Sequence, residues 1–368
     1  MSSQIIKKYK EFVFRYASIE DIRNIIELFE RNYKKPMGLT ESYNHFNWEY
    51  IENPVKKLYI LLAVGENGDI AAQYALLPKC IRVFGETTVC TLSQDTITDE
   101  KYRGRGLFVA LADTLYDLVK GNNILFTYGF PNKNSAPGFF NRLGWNELKP
   151  IPIYFKPIFI KGYDYSSLPF FGRNSFLRTI FKIATYTYNM MLKRKMVDNG
   201  IEVREISDFM PIFDEIWNMV NYNDKVIVVR DNKYIKWRFF DKPENNYKKF
   251  VFYKDSKASG YLITSVIKKF GIDMLFVVDF VVTSEELTKY VIAYIDNIAM
   301  ASSTPLISII LPPIYRKLFT LSGYFRLPER LFPQELHFGF RVHRSFNGDE
   351  KLKDVNNWYM TWGDSDVV

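Results

Sequence analysis

The stretch EFVFRY, residues 11–16, alternates apolar and polar positions as a strand does, and from Ile19 the apolar positions change to a helical spacing. Ser18 is placed to cap that helix, with Asp21 three residues on in a capping-box arrangement. Residues 40–51 give a second helical stretch that stops before Pro54. Residues 58–64 and 70–77 read as strands joined by the turn Glu66-Asn67-Gly68-Asp69, and a further strand runs from about Val83, past Gly85, to Thr98. After a glycine-bearing loop, residues 107–119 set Leu107, Ala110, Leu111, Leu115 and Leu118 on one helical face. A strand at 124–128, a helix ending near Arg142 and a strand after Trp145 complete this half.

The second half repeats the plan. A strand at 201–206 is followed by a helix opened by Ser207, a helical segment at 234–240 and a hairpin of strands 249–253 and 260–267. Then come a strand at 273–283, a helix at 285–300, a strand at 306–311 and a helix at 313–321. Single residues repeat too. Trp48 and Pro54 recur as Trp237 and Pro243, 189 residues later in both cases. QDTITDE (94–100) is echoed by VDFVVTS (278–284), and FFNRLGW (139–145) by KLFTLSGY (317–324). Four matches in order, over the same element sequence, predict two copies of one α/β, mixed-sheet fold.

A chain of 368 residues agrees with two cores rather than one. At 47% hydrophobic and 24% charged it is globular, and its 17% aromatic content suits strand-rich cores. The excess of 49 basic over 41 acidic residues gives +8. Without an arginine-rich tail or zinc module, this predicts a locally basic cofactor site rather than nucleic-acid binding. Cys80 and Cys90 are expected as buried free thiols, not as a disulfide framework. The start MSSQIIKKYKEF has a charge where a signal peptide needs an apolar run, so a cytoplasmic location is expected. Residues 176–196 carry Arg178, Lys182, Lys193, Arg194 and Lys195, too many charges for a spanning helix. They read as a basic amphipathic connector, with peripheral contact to anionic lipid left open.

The segment from Thr96 to Phe108 holds the most specific chemistry. A strand enters a loop with Gly104 and Gly106, flanked by Arg103 and Arg105, and the loop feeds an amphipathic helix at Leu107. The first amides of a helix point outward at the positive end of its dipole, and glycines let a bulky anion reach the backbone. That is the construction of a pyrophosphate cradle; the alternative is a glycine turn with solvated arginines. Here the chain resembles the GNAT acetyltransferases, whose main motif is a strand, Arg/Gln-x-x-Gly-x-Gly/Ala, then a helix. Arg103, Gly106 and Phe108 occupy those positions after the lead-in Asp99-Glu100-Lys101-Tyr102, with Phe108 where a small residue is usual. TYGFPNKNSAPGFFNRLGW resembles the second GNAT motif, along the pantetheine arm. Asn132 or Asn134 would take its asparagine role and Gly144-Trp145 its closing pair. Phe140 stands where a tyrosine often protonates the CoA thiolate.

The resemblance covers residues 12–150 well. It implies two GNAT-like domains in tandem: residues 1–160 binding acyl-CoA, a basic helical connector at 161–200, and a degenerate copy at 201–368. In that copy Ser-Glu-Glu-Leu-Thr-Lys (284–289) replaces the glycine loop, and two carboxylates would face a pyrophosphate. The implied activity is N-acyl transfer from acetyl-CoA, as co-substrate, to the amine of a small polar acceptor such as an amino sugar or amino acid derivative. The alternatives are aminoacyl or longer acyl transfer to a cell-wall or lipid precursor, and a non-catalytic CoA-binding module. The thioester carbonyl would be polarised by a backbone N–H near Ile97, Thr98 or Asp99. Asp95, Glu86 or the C-terminal carboxylate of Val368 would act as general base. The alternative for Asp95, and the one its position favours, is a structural strand-edge residue. The tail WYMTWGDSDVV, with Asp364 and Asp366, reads as either a docked segment or a frayed end. His45, His337 and His343 form no metal-ligand spacing, and His45 is placed to line an acceptor cleft.

Overall fold

The protein's structure, a computed structural model, describes residues 5–34, 38–164, 175–192, 200–244, 246–269, 271–326 and 337–365. It opens with an antiparallel pair, β1 (Ile5–Tyr9) and β2 (Phe12–Tyr16). Ser18 and Asp21 form the reciprocal capping box, Arg15 binds Asp21 at 2.6 Å, and helix α1 (Ile22–Tyr33) follows. Helix α2 (Leu39–Phe46) runs directly into a π-helical turn at Asn47–Ile51. Strands β3 (Tyr59–Val64), β4 (Ile70–Val83) and β5 (Glu86–Thr98) form an antiparallel meander. Helix α3 (Leu107–Gly121) crosses over to β6 (Phe126–Gly129), parallel to β5, and α4 (Ala136–Arg142) leads to β7 (Asn146–Leu148).

After β8 (Ile153–Pro157) and helix α5 (Ser175–Leu192) the plan recurs: β9 (Ile201–Glu205), α6 (Phe213–Met219), β10 (Val226–Val228) and α7 (Asn232–Ile235). A second π-helical turn spans Lys236–Phe240, 189 residues after the first at both ends. Then come β11 (Lys248–Lys254), β12 (Lys257–Lys269), β13 (Ile272–Val282), α8 (Glu285–Ala301), β14 (Leu306–Ile310), α9 (Arg316–Thr320), β15 (Phe325–Arg326) and β16 (Phe338–Val342). The helix expected to open at Ser207 starts only at Phe213; Ser207 instead bonds the adjacent Asp208 at 2.9 Å.

Two sheets result. One has the order β1-β2-β3-β4-β5-β6-β16-β7, with β10 also on β4; the other runs β15-β8-β14-β13-β12-β11-β9. The halves exchange one strand each. β8 lies antiparallel to β14 (Tyr154 opposite Ile309), and β16 lies antiparallel to β6 (Phe340 opposite Tyr128), in equivalent places. One face of the first sheet buries Leu107, Leu111 and Leu115 of α3 against Phe12, Leu61 and Leu76. Each such side chain contributes about 1.5–3 kcal/mol of burial. A second, larger cluster joins both halves through Trp48, Trp237, Phe126, Trp358 and Trp362. The tail is docked as far as Ser365: Tyr359 donates its N–H to the Val226 carbonyl (2.9 Å) and its hydroxyl to Phe280 O (2.7 Å). Cys80 and Cys90 are free thiols on neighbouring strands. No described helix is long and apolar enough to cross a membrane.

Candidate functional site

Strand β5 carries two features that matter. At its C-terminal end the loop 103–106 turns into α3 through Gly104 (φ +78°) and Gly106 (φ +83°), backbone that L side chains rarely adopt. No side chain caps α3, and its first bond of helical type runs from Ala110 N–H to the Gly106 carbonyl, so the preceding amides have no helical partner. A Cβ on Gly104 would meet nothing within 4 Å, whereas one on Gly106 would lie 2.9 Å from the Tyr9 hydroxyl. The arginines are held at the edge of the loop. Arg103 donates to Asn32 Oδ1 at 3.1 Å and Arg105 pairs with Glu11. At the matching helix of the second half, Ser284 caps α8 by accepting from Leu287 N (3.2 Å), with Glu285 and Glu286 in the first turn. That end is closed by its own side chain and is negatively charged.

The second feature is a bulge. Opposite β4, Gln94 pairs with Ala75 and Ile97 with Gln73, so Asp95 and Thr96 both face Tyr74. Asp95 sits there at φ +47°, exposed, held by the Tyr50 hydroxyl at 2.6 Å and by Gln73 Nε2 on its carbonyl at 3.1 Å. Burial, Asp95 and Glu49 push the Tyr50 phenol well above its usual range, so it stays a donor. The pairing of β5 with β6 ends at Ser93–Gly129, and beyond it the edge of β5 on that side has no strand partner among the described residues. The residues expected to offer a backbone N–H to the thioester, Ile97, Thr98 and Asp99, follow directly on this bulge. Asp99 N–H is already committed to the Ala71 carbonyl (2.9 Å), and Thr98 and Ile97 are paired with Ala72 and Gln73.

The bulge opens onto a cavity of about 140 Å³ between the halves. Its floor is the sheet face bearing Leu77 and Lys79 of β4 with Leu92 and Gln94 of β5. His45, Trp48 and Glu49 wall one side; Trp237, Arg238 and Lys242 come from the second half, and Ser365 from the docked tail. Burial opposes ionisation of Glu49, but His45 (3.6 Å), Gln94 and Arg238 outweigh it and hold the carboxyl below the usual range. Lys79 is 5% exposed, and burial, reinforced by Arg238 and Arg230 against Asp364 and Glu49, lowers its amine to about 8.

Of the residues expected from sequence, Asp95 lies on this cavity, Arg103 to Gly106 make the loop, and Leu107 and Phe108 open α3. Glu86 does not belong: it starts β5, and nine residues of strand put it roughly 30 Å from Asp95. Val368 lies outside the described residues, three beyond Ser365. Asn132 is spent locally, its Oδ1 accepting from the N–H groups of Asn134 (3.0 Å) and Ser135 (3.1 Å) at the start of α4. Asn134 is exposed. Phe108 packs on Gly138 and Phe139, and Phe140 on Gly339 of the exchanged strand, so both rings are core contacts. His45 lines the cavity; His337 faces Glu147 at 2.9 Å and His343 bonds Thr127 at 2.7 Å. Among the described residues no group of His, Cys, Asp and Glu is placed to hold a metal. Sequence reasoning missed Glu49, Lys79, Arg238 and Lys242. Glu49 and Arg238 each follow a repeated tryptophan, whereas Lys79 shares β4 with a second cation, Arg82, and does not stand out.

Residues 13–148 match the family model of the acetyltransferase (GNAT) domain. No curated protein matches the chain. Among solved structures, a conserved protein of unknown function from Enterococcus faecalis V583, described as a probable N-acyltransferase, is similar with a TM-score of 0.62 at 9% identity. The match covers 90% of this chain and 72% of that one. A GCN5-related N-acetyltransferase from Anabaena variabilis is similar with a TM-score of 0.57 at 13% identity, over 90% and 73%. Saccharomyces cerevisiae N-myristoyltransferase with bound myristoyl-CoA is similar at 0.56 and 11%, over 92% and 84%. At these identities the likeness is one of fold, and it spans both halves. Over residues 13–148, then, the chain is similar to the acetyltransferase (GNAT) domain, and over both halves it shares the fold of these acyltransferase structures.

Proposed function

We propose that the protein transfers an acyl group from an acyl-CoA, acetyl-CoA in the first instance, to the amine of a small polar acceptor in the cavity between the halves. One observation carries this reading: a single strand, β5, ends at an uncapped, glycine-lined helix start and, by its bulge, presents Asp95 to that cavity. A donor whose pyrophosphate lies at the loop and whose arm follows the unpaired edge of β5 would bring its thioester to the bulge. The residues fit such a donor. Gly104 faces open space, and the amides of Gly106, Leu107 and Phe108 are free of helical bonds to bind phosphate oxygens. The second half supplies cavity wall rather than a second donor site, since Ser284, Glu285 and Glu286 occupy its helix start.

In this reading Asp95 takes a proton from the acceptor ammonium, Tyr50 fixing its carboxylate, and the amine attacks the thioester. A CoA thiol of ordinary pKa, about 8.5, leaves as thiolate, so the core position of Phe140 does not block transfer. The yeast N-myristoyltransferase, similar in fold, has myristoyl-CoA bound, so a longer acyl-CoA is the second donor to test. Incubating the protein with acetyl-CoA or myristoyl-CoA and a panel of amines, with thiol release as readout, tests the proposal and selects the donor. Absence of amine-dependent release with both donors would end it.

A further inference from the structure

Among the described residues, Lys79 is the cavity cation that no hydrogen bond holds. Its side chain is 5% exposed and lines the cavity, yet among the described residues its Nζ has no hydrogen-bond partner. The other cations of the site are engaged: Arg238 donates to the Gly363 carbonyl (3.2 Å) and the Tyr247 hydroxyl (3.0 Å), and Lys242 to the same hydroxyl (3.0 Å). The carboxylates are engaged as well, Glu49 with His45 and Asp95 with Tyr50. Asp364, which attracts Lys79 electrostatically, is bound by Arg230 at 2.6 Å. A largely buried ammonium that faces a cavity and has no protein partner gains most from an anion entering that cavity.

We propose that the acceptor carries an anionic group, a carboxylate or a phosphate, beside its amine, and that Lys79 is the seat of that group. This rests on the acyl-transfer reading and adds the acceptor's chemical class to it. Lys79 and Asp95 line the same cavity from β4 and β5; Asp95 lies opposite Tyr74, with Lys79 five residues farther along β4, so an acceptor with its amine at Asp95 would extend along the cavity floor towards Lys79. Arg238 and Arg230 add positive charge around Lys79, with Asp364 and Glu49 partly offsetting it. The consequence is selectivity: an amine without the anion leaves the buried charge unpaired, and an amine with it does not.

The lowered amine of Lys79 adds a signature. Its folded value of about 8 is set by burial, then by Arg238 and Arg230, with Asp364 and Glu49 opposing; His45, Lys242 and Asp95 also face the cavity. An anion binds the protonated form only, so affinity for an anionic acceptor falls as pH rises through about 8.

The test uses the full chain and matched pairs: an α-amino acid against its amide, and glucosamine 6-phosphate against glucosamine. The expected result is a preference of roughly tenfold or more in kcat/KM for the anionic member of at least one pair, which names carboxylate or phosphate. Lys79→Met should reduce that preference by roughly tenfold through KM, and Lys79→Arg should restore part of it. Lys79 would also be protected by the anionic amine against reductive methylation, a readout that needs no turnover. Protection without any acyl transfer would uphold the seat and overturn the enzymatic reading. Acyl transfer with equal rates for both members of each pair, or a Lys79→Met enzyme with an unchanged KM, would overturn the seat and leave the enzymatic reading standing.

Discussion

Trp48 and Trp237 donate their indole N–H groups to each other's backbone carbonyls, at 2.6 and 2.7 Å, with rings stacked 5.0 Å apart and 16° from parallel. The pair is a local twofold axis, since each ring sits in its own π-helical turn and each makes the same bond to the other. Both side chains are about 5% exposed, so neither carbonyl would find water as a substitute.

Trp48→Phe and Trp237→Phe should therefore each cost about 1–3 kcal/mol, the penalty for a buried carbonyl losing its donor. The double variant should cost less than the sum, because the two contacts share one stack. Urea unfolding of the four proteins measures the coupling. Strict additivity would mean that the two bonds act independently.

The donor site should be single. Gly104→Val places a branched side chain into the open cradle at φ +78°, and the strain of about 1–2 kcal/mol leaves the fold intact. Calorimetry should show one acetyl-CoA per chain, weakened by roughly tenfold or more in Gly104→Val. By contrast, the double variant Glu285→Ala and Glu286→Ala should leave the affinity within about twofold, since α8 is closed by Ser284. Two equivalent sites would contradict this division.

His343 makes folding sensitive to acid. Burial, then the charges of Arg341 and Lys120, lower it from 6.5 to about 4, and its ring nitrogen bonds Thr127 across the exchanged strand. Between those values the unfolded chain binds a proton that the folded protein refuses. Stability is thus full above pH 6.5 and declines as pH falls towards 4, by at most about 3 kcal/mol. His343→Gln should flatten that slope in denaturation measured at pH 7, 5.5 and 4.5. An unchanged slope would place the acid sensitivity elsewhere.

The repeat was legible because its markers are geometric: the tryptophans meet at the axis, and Gly144 and Gly323, both at positive φ, close equivalent turns. The loop at Gly104 and Gly106 was legible for the same reason, since its glycines answer to backbone conformation. Strand exchange was not. β8 and β16 are five residues each, too short for a strong alternation, and their partners β14 and β6 lie some 150 and 210 residues away. Glu86 was a false candidate because strand direction, not composition, sets it at the far end from the bulge. Lys79 and Arg238 escaped notice because a buried cation looks in sequence like any surface one, and only the closure of two halves over it gives it a role.

Amine-dependent thiol release from acetyl-CoA, compared between the natural protein and Asp95→Asn, tests the account most directly. General-base catalysis contributes about a hundredfold to ten-thousandfold, and Asp95 is the carboxylate that the bulge presents to the cavity. Release with at least one amine is expected in the natural protein. A fall of roughly a hundredfold or more is expected in Asp95→Asn, with acetyl-CoA affinity and the circular dichroism spectrum unchanged. Full activity in Asp95→Asn, or acetyl-CoA binding without release to any amine in the natural protein, would contradict the proposed mechanism.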